Sequence, residues 1–168
     1  MQIVWFKRDL RVFDNEAFKK ACDKGPILPL YIFEEDLWKK SPLCMKHYTF
    51  LKQSLDDLNN DLEKLGQTLI IEKKNAIEVF KEYKEKYNIN TVWSHQETWN
   101  YWVKQRNDKL AEWFSSNNIR WIEVIQNGVI RNIKSREGWA KKWNIRMNKK
   151  VFSAVTEINK TSDKMYKI

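Results

Sequence analysis

Val4-Trp5-Phe6-Lys7-Arg8-Asp9-Leu10-Arg11-Val12-Phe13-Asp14-Asn15-Glu16-Ala17 decides how the rest of the chain is read. Residues 2–6 form a short β-rich apolar run. A dense cluster of charge follows it, and Asn15 then offers a helix cap. Residues 15–23 read as the first helix. Gly25-Pro26 marks a turn, and residues 27–33 are continuously apolar, as in a strand covered on both faces. Strand, charged loop, helix and buried strand make the first unit of a parallel sheet.

The pattern repeats outward from there. Ser41-Pro42 reads as a helix start, with Ser as cap and Pro in the first turn. Phe50, Leu51, Leu55, Leu58, Leu62 and Leu65 recur at helical spacing over residues 43–65. Gly66 stops that helix. Residues 68–71, 91–94 and 119–125 read as further strands, and residues 76–87 and 102–114 as helices. Alternation with short connections predicts one doubly wound α/β domain, a Rossmann-like five-stranded parallel sheet with helices on both faces. Ligands of such sheets bind beyond the carboxyl ends of the strands. Those ends fall at residues 7–14, 33–37, 73–75, 95–100 and 126–128.

The chain has 168 residues, with 31 Lys and Arg against 22 Asp and Glu, a net charge of +9. A basic balance permits contact with nucleic acid. Its lysines occur throughout, interleaved with acids, which reads as a solvated surface. Cys22 and Cys44 have no metal-ligand spacing and read as buried thiols. His47 and His95 are too isolated for a metal site, so none is expected. Charge at Lys7, Arg8 and Asp9 interrupts the first apolar run, and no stretch reaches membrane-spanning length. A soluble, cytoplasmic protein without membrane contact is expected. Four glycines leave no phosphate-cradling GxGxxG loop and no Walker motif. From residue 147 to 168 large apolar residues thin out. The expected division is a domain over 1–146 and a linker or tail over 147–168.

The charged loop has two readings. Arg8 and Arg11 pair with Asp9 and Asp14 to hold the loop, or a guanidinium holds a planar or anionic ligand. The opening segment resembles the signature of the DNA photolyase/cryptochrome family, W-F-R-x-D-L-R-x-x-D-N-x-A. It matches at Trp5, Phe6, Asp9, Leu10, Arg11, Asp14, Asn15 and Ala17, with Lys7 in place of the first Arg. Ser94-His95-Gln96-Glu97-Thr98-Trp99-Asn100 with Arg106 is similar to one bacterial branch. So are Gln126-Asn127-Gly128-Val129-Ile130-Arg131 and Arg136-Glu137-Gly138-Trp139 with Trp143.

The resemblance implies the family's N-terminal α/β domain, which holds an antenna chromophore. In the family the catalytic FAD lies in a C-terminal helical domain that binds pyrimidine dimers in DNA. The resemblance therefore implies no catalytic residue here and a chain inactive alone, from a parent DNA photolyase (a carbon–carbon lyase) or a blue-light photoreceptor. The implied partners are that helical domain and, through the parent, DNA. The residues implied for a deazaflavin or flavin antenna are Arg8, Asp9, Arg11, Phe33, Glu34 and Glu35, with Glu97 and Arg106. A folate antenna is disfavoured, because Val103 stands where the family's pterin-holding carboxylate would be. Trp99, Trp102, Trp139 and Trp143 either cover an aromatic ligand or form the seam to the helical domain. Arg131, Lys134, Arg136, Lys141, Lys142 and Arg146 read as a solvated basic helix end or as a group near DNA phosphates. The same α/β alternation also suits a stand-alone nucleotide- or flavin-binding module with no DNA role.

Overall fold

In the computed structural model, which describes residues 1–131, 133 and 135–159, five parallel strands lie in the order β3-β2-β1-β4-β5. The strands are β1 (Gln2–Phe6), β2 (Ile27–Ile32), β3 (Ile70–Glu72), β4 (Thr91–His95) and β5 (Arg120–Val124). The helices are α1 (Glu16–Cys22), α2 (Glu35–Lys39), α3 (Met45–Lys64), α4 (Ala76–Lys86), α5 (Tyr101–Ser116) and α6 (Trp139–Met147). The strand order reverses between β1 and β4, as the doubly wound reading requires.

Period-two alternation divides β1 between two cores. Ile3 and Trp5 pack with Phe80 and Tyr83 of α4 and with Leu110 and Phe114 of α5. Val4 and Phe6 pack on the other face with Phe18 of α1 and with Leu55, Leu58 and Leu62 of α3. All six residues of β2 are buried, which explains its unbroken apolar run.

Asn15 ties the charged loop to α1. Its Oδ1 accepts from the Phe18 N–H at 2.9 Å, and its Nδ2 donates to the Arg11 carbonyl at 2.9 Å. The same Nδ2 lies 3.3 Å from both the carbonyl and the carboxylate of Asp9, in a fully buried setting. Asn15→Ala removes the cap and strands these acceptors. It should cost roughly 2 kcal/mol, read as a lowered midpoint in urea unfolding.

Several expectations need correction. Helix α3 begins at Met45, capped by Cys44, not at Ser41-Pro42. Ser41 instead accepts a hydrogen bond from Asn100 at 2.9 Å, beyond the five-residue α2, which is too short to show periodicity. Strand β3 starts two residues later than expected. The cysteines are not both buried. Cys22 is half-buried, its thiol pushed up to about 12 by burial, and Cys44 is exposed. Residues 148–159 run without helix or strand and return to the body. The Phe152 N–H donates to Asp14 Oδ1 at 3.1 Å and the Ile158 N–H to the Leu65 carbonyl at 3.1 Å, with Ile158 buried beside α3. Lys134 and residues 160–168 of the expected tail lie outside the described residues. Among the described residues no helix is long and apolar enough to cross a membrane.

Candidate functional site

The carboxyl ends of β1, β2 and β4 open into a cavity of about 250 Å³. Its walls are mainly apolar and aromatic. Trp5 and Leu10 come from the β1 side and Tyr31 and Ile32 from β2. Leu37, Trp38, Leu43, Phe50 and Leu51 come from α2, α3 and the turn joining them, and Trp99 follows β4. Phe50, which shares the helical spacing of the α3 leucines, is 71% exposed and stands at this cavity. An apolar slot with a few convergent polar groups is the usual form of a small-molecule site.

Those polar groups are charged and mostly buried. Arg106 of α5 pairs with Glu34 through one guanidinium nitrogen and with Glu97 through another. Its guanidinium also lies 4.9 Å from the Trp5 ring and 5.7 Å from the Trp102 ring. Lys7 Nζ sits 3.3 Å from Glu97 and 3.9 Å from Glu123, and 4.7 Å over the Trp5 ring. Two cations and two carboxylates, Lys7, Arg106, Glu34 and Glu97, thus line one wall with balanced charge.

Burial sets the proton affinities here. It pushes the Lys7 ammonium below its ordinary value, against the opposing pull of Glu97. Burial likewise raises Glu34, and the neighbouring Arg106 does not fully offset it. Glu97 behaves oppositely: burial raises it, but Lys7 and Arg106 together hold it below the ordinary range. Lys7 Nζ is buried and ion-paired with Glu97 at 3.3 Å, but meets no acceptor in good hydrogen-bond geometry, which leaves part of its donor capacity facing the cavity. At the rim the Arg8 guanidinium carbon lies over Trp99, 4.3 Å from the ring centroid.

The eight residues expected at this site divide evenly. Arg8, Glu34, Glu97 and Arg106 line the cavity. Asp9, Arg11, Phe33 and Glu35 do not. Asp9 turns under the sheet end to His95 Nδ1 at 2.5 Å and accepts from the Lys7 N–H at 3.1 Å. Burial raises the Asp9 carboxyl, but the bonds from His95 and Lys7 hold it below its ordinary value. Arg11 is exposed and donates to the Asp14 carbonyl at 3.0 Å, so the loop is not held by Arg8 and Arg11 pairing with the Asp9 and Asp14 carboxylates. Phe33 stacks on Trp38, with ring centroids 5.4 Å apart, behind the wall. Glu35 faces solvent and pairs with Lys73 at 2.7 Å. Trp99 is at the cavity, whereas Trp139 and Trp143 pack on each other away from it, at 6.4 Å. Lys7 and Leu37 fall within the strand-end segments 7–14 and 33–37 without being among the eight residues expected to hold a ligand, and the α3 part of the wall lies outside those segments. The one signal for Lys7 was its place beside Trp5 at a strand end.

A family model described as DNA photolyase matches residues 2–143. Cryptochrome DASH, chloroplastic/mitochondrial, of Solanum lycopersicum is 33% identical over 103 residues, covering 57% of this chain and 18% of that protein. A deoxyribodipyrimidine photo-lyase of Agrobacterium fabrum is 34% identical over 91 residues, covering 54% of this chain and 18% of that protein. The crystal structure of a bacterial class III photolyase from Agrobacterium tumefaciens superposes with a TM-score of 0.77 at 20% identity, over 96% of this chain and 35% of that one. An archaeal photolyase from Sulfolobus tokodaii, solved with two FAD molecules and implicating a novel light-harvesting cofactor, gives 0.71 at 19% identity, over 95% and 38%. These likenesses carry the fold. The chain spans only 18% of each of the two curated relatives above.

Proposed function

The chain belongs to the DNA photolyase family, and from that premise we propose that it is the N-terminal antenna-binding and scaffold domain of a photolyase-like flavoprotein. The parent repairs pyrimidine dimers in DNA with light or signals in blue light. Its catalytic FAD sits in a helical domain that docks on this one. The observation that carries the reading is the cavity at the ends of β1, β2 and β4, with aromatic walls and a buried Arg106–Glu34–Glu97 cluster. A planar, weakly polar chromophore suits such walls. Lys7 offers the ammonium hydrogens that Glu97 does not take up to a ring carbonyl or ring nitrogen, and Arg8 with Trp99 covers the ring edge.

A flavin or deazaflavin fits this chemistry. The archaeal relative with two FAD molecules supports it. The family resemblance disfavours a folate, because Val103 stands where the pterin-holding carboxylate would be. In this reading the residues hold and orient the chromophore and exclude water around it. The bound group itself supplies the light absorption.

Titration with riboflavin 5′-phosphate, FAD and a deazaflavin tests this. Tryptophan emission should quench as Trp5, Trp38 and Trp99 acquire an acceptor within the cavity, saturating at about one ligand per chain with micromolar or tighter affinity. Arg8→Ala should weaken binding roughly fivefold by removing the rim contact. Unsaturable, linear quenching with all three compounds would remove the antenna role.

A further inference from the structure

The basic excess of this chain is not evenly placed, although its lysines occur throughout. Residues 1–127 carry twenty Lys and Arg against nineteen Asp and Glu, so the α/β body is nearly neutral. Residues 128–150 carry eight against one. Nearly all the net charge of +9 therefore sits on α6 and its flanks. Arg131 is committed to Glu123 at 2.6 Å and Arg146 to the Ile125 carbonyl. Arg136, Lys141, Lys142, Lys149 and Lys150 are exposed and have no carboxylate partner among the described residues.

The same segment carries an aromatic slot. Trp139 and Trp143 stand one turn apart on α6, each 40% exposed. With Arg136, Val129 and Ile133 they line an open cavity of about 570 Å³, separate from the one at the strand ends. Both rings are fixed from behind. Trp139 Nε1 donates to the Gly128 carbonyl at 3.3 Å, and Trp143 lies so close on Gly128 that a Cβ there would overlap its ring. On a helix advancing 100° per residue, Lys142 lies on the same side as the two tryptophans.

We propose that this surface binds single-stranded nucleic acid. A base lies against Trp139 and Trp143 in the slot, and the adjoining phosphates run along Arg136, Lys142, Lys149 and Lys150. Exposed rings beside cations that lack a carboxylate partner are the arrangement that sequence-tolerant strand binding uses. With both rings held against Gly128 and only nine residues in α6, the apolar face offered to a bilayer is small, which disfavours an anionic membrane as the occupant. The bases of a duplex are already stacked and would leave the slot empty. This inference does not depend on the chromophore site.

Fluorescence anisotropy of a labelled twelve-nucleotide oligothymidylate with the 168-residue chain tests the proposal. Binding should saturate in the micromolar range at 50 mM salt. About three or four neutralised phosphates predict roughly twenty- to fiftyfold weaker binding at 200 mM. Lys142→Glu with Lys150→Glu should weaken binding at least tenfold and flatten the salt dependence. Trp139→Ala, with its fold checked by circular dichroism, should weaken binding about fivefold or more and leave the salt dependence intact. Trp139→Phe should recover part of that loss. No saturable binding at 50 mM salt overturns the proposal. So does equal affinity for a duplex of the same length or for phosphatidylserine vesicles, or an affinity indifferent to Trp139→Ala.

Discussion

Arg106→Ala should lower the unfolding free energy by roughly 3–5 kcal/mol, because it removes the shared partner of two buried carboxylates. Glu34 and Glu97 have side chains only 3% and 6% exposed, and Lys7 alone cannot serve both. Domains of this kind hold about 5–15 kcal/mol in total, so the loss takes a large share of the reserve. The variant should also respond to pH with a definite sign. Glu34, already raised by burial, loses in this variant the neighbour that lowers it, and binds a proton still more readily folded than unfolded. A group whose folded affinity is raised contributes stability below its ordinary value, 4.5 for these glutamates, and loses it as pH rises through the raised value. The deficit against the unaltered chain should therefore shrink as pH falls from the raised value of Glu34 towards 4.5. Urea unfolding of both chains at pH 7.5 and pH 4.5 checks this. A pH-independent deficit of under about 1 kcal/mol would show that the cluster is solvated.

Ser54→Trp should abolish chromophore binding while leaving the fold intact. Ser54 lies on α3 and lines the cavity, and its hydroxyl bonds only the Phe50 carbonyl of its own helix, at 2.9 Å. An indole projected from this position occupies space that a planar ring would need and gains apolar contacts there. Affinity should fall about a hundredfold or more, on the order of 3 kcal/mol. Thermal unfolding should move little or rise. Binding that survives Ser54→Trp would locate the chromophore elsewhere.

The contrast between fold and site has a physical origin. The apolar run over β2 and the leucine spacing of α3 are local patterns, and each element's partner surface follows from them. The family signature did the rest, since Asn15 caps α1 where that signature places it. The site depends on approach between distant segments. Asp9 has arginine neighbours in the sequence as candidate partners, but its partner His95 is 86 positions away. Lys7, as a lysine after a strand, suggests a solvated group, and only the closure of α5 and β5 around it buries the ammonium. Phe50 and Leu51 share the spacing of Leu55, Leu58 and Leu62, yet only the later turns of α3 are buried in the core, while Phe50 and Leu51 in its first two turns line the cavity. Glu97 and Arg106 were found by resemblance alone, because nothing in their own spacing joins them to Glu34.

The most direct test of the antenna assignment is visible circular dichroism of riboflavin 5′-phosphate, FAD or a deazaflavin mixed with the chain. An achiral ring held between Trp5, Trp99 and the Arg106 cluster acquires induced ellipticity across its absorption bands. At least one of the three should show such bands, saturating at about one ligand per chain and vanishing in Ser54→Trp. Spectra equal to the sum of free ligand and protein for all three compounds, or bands unchanged in Ser54→Trp, would contradict it.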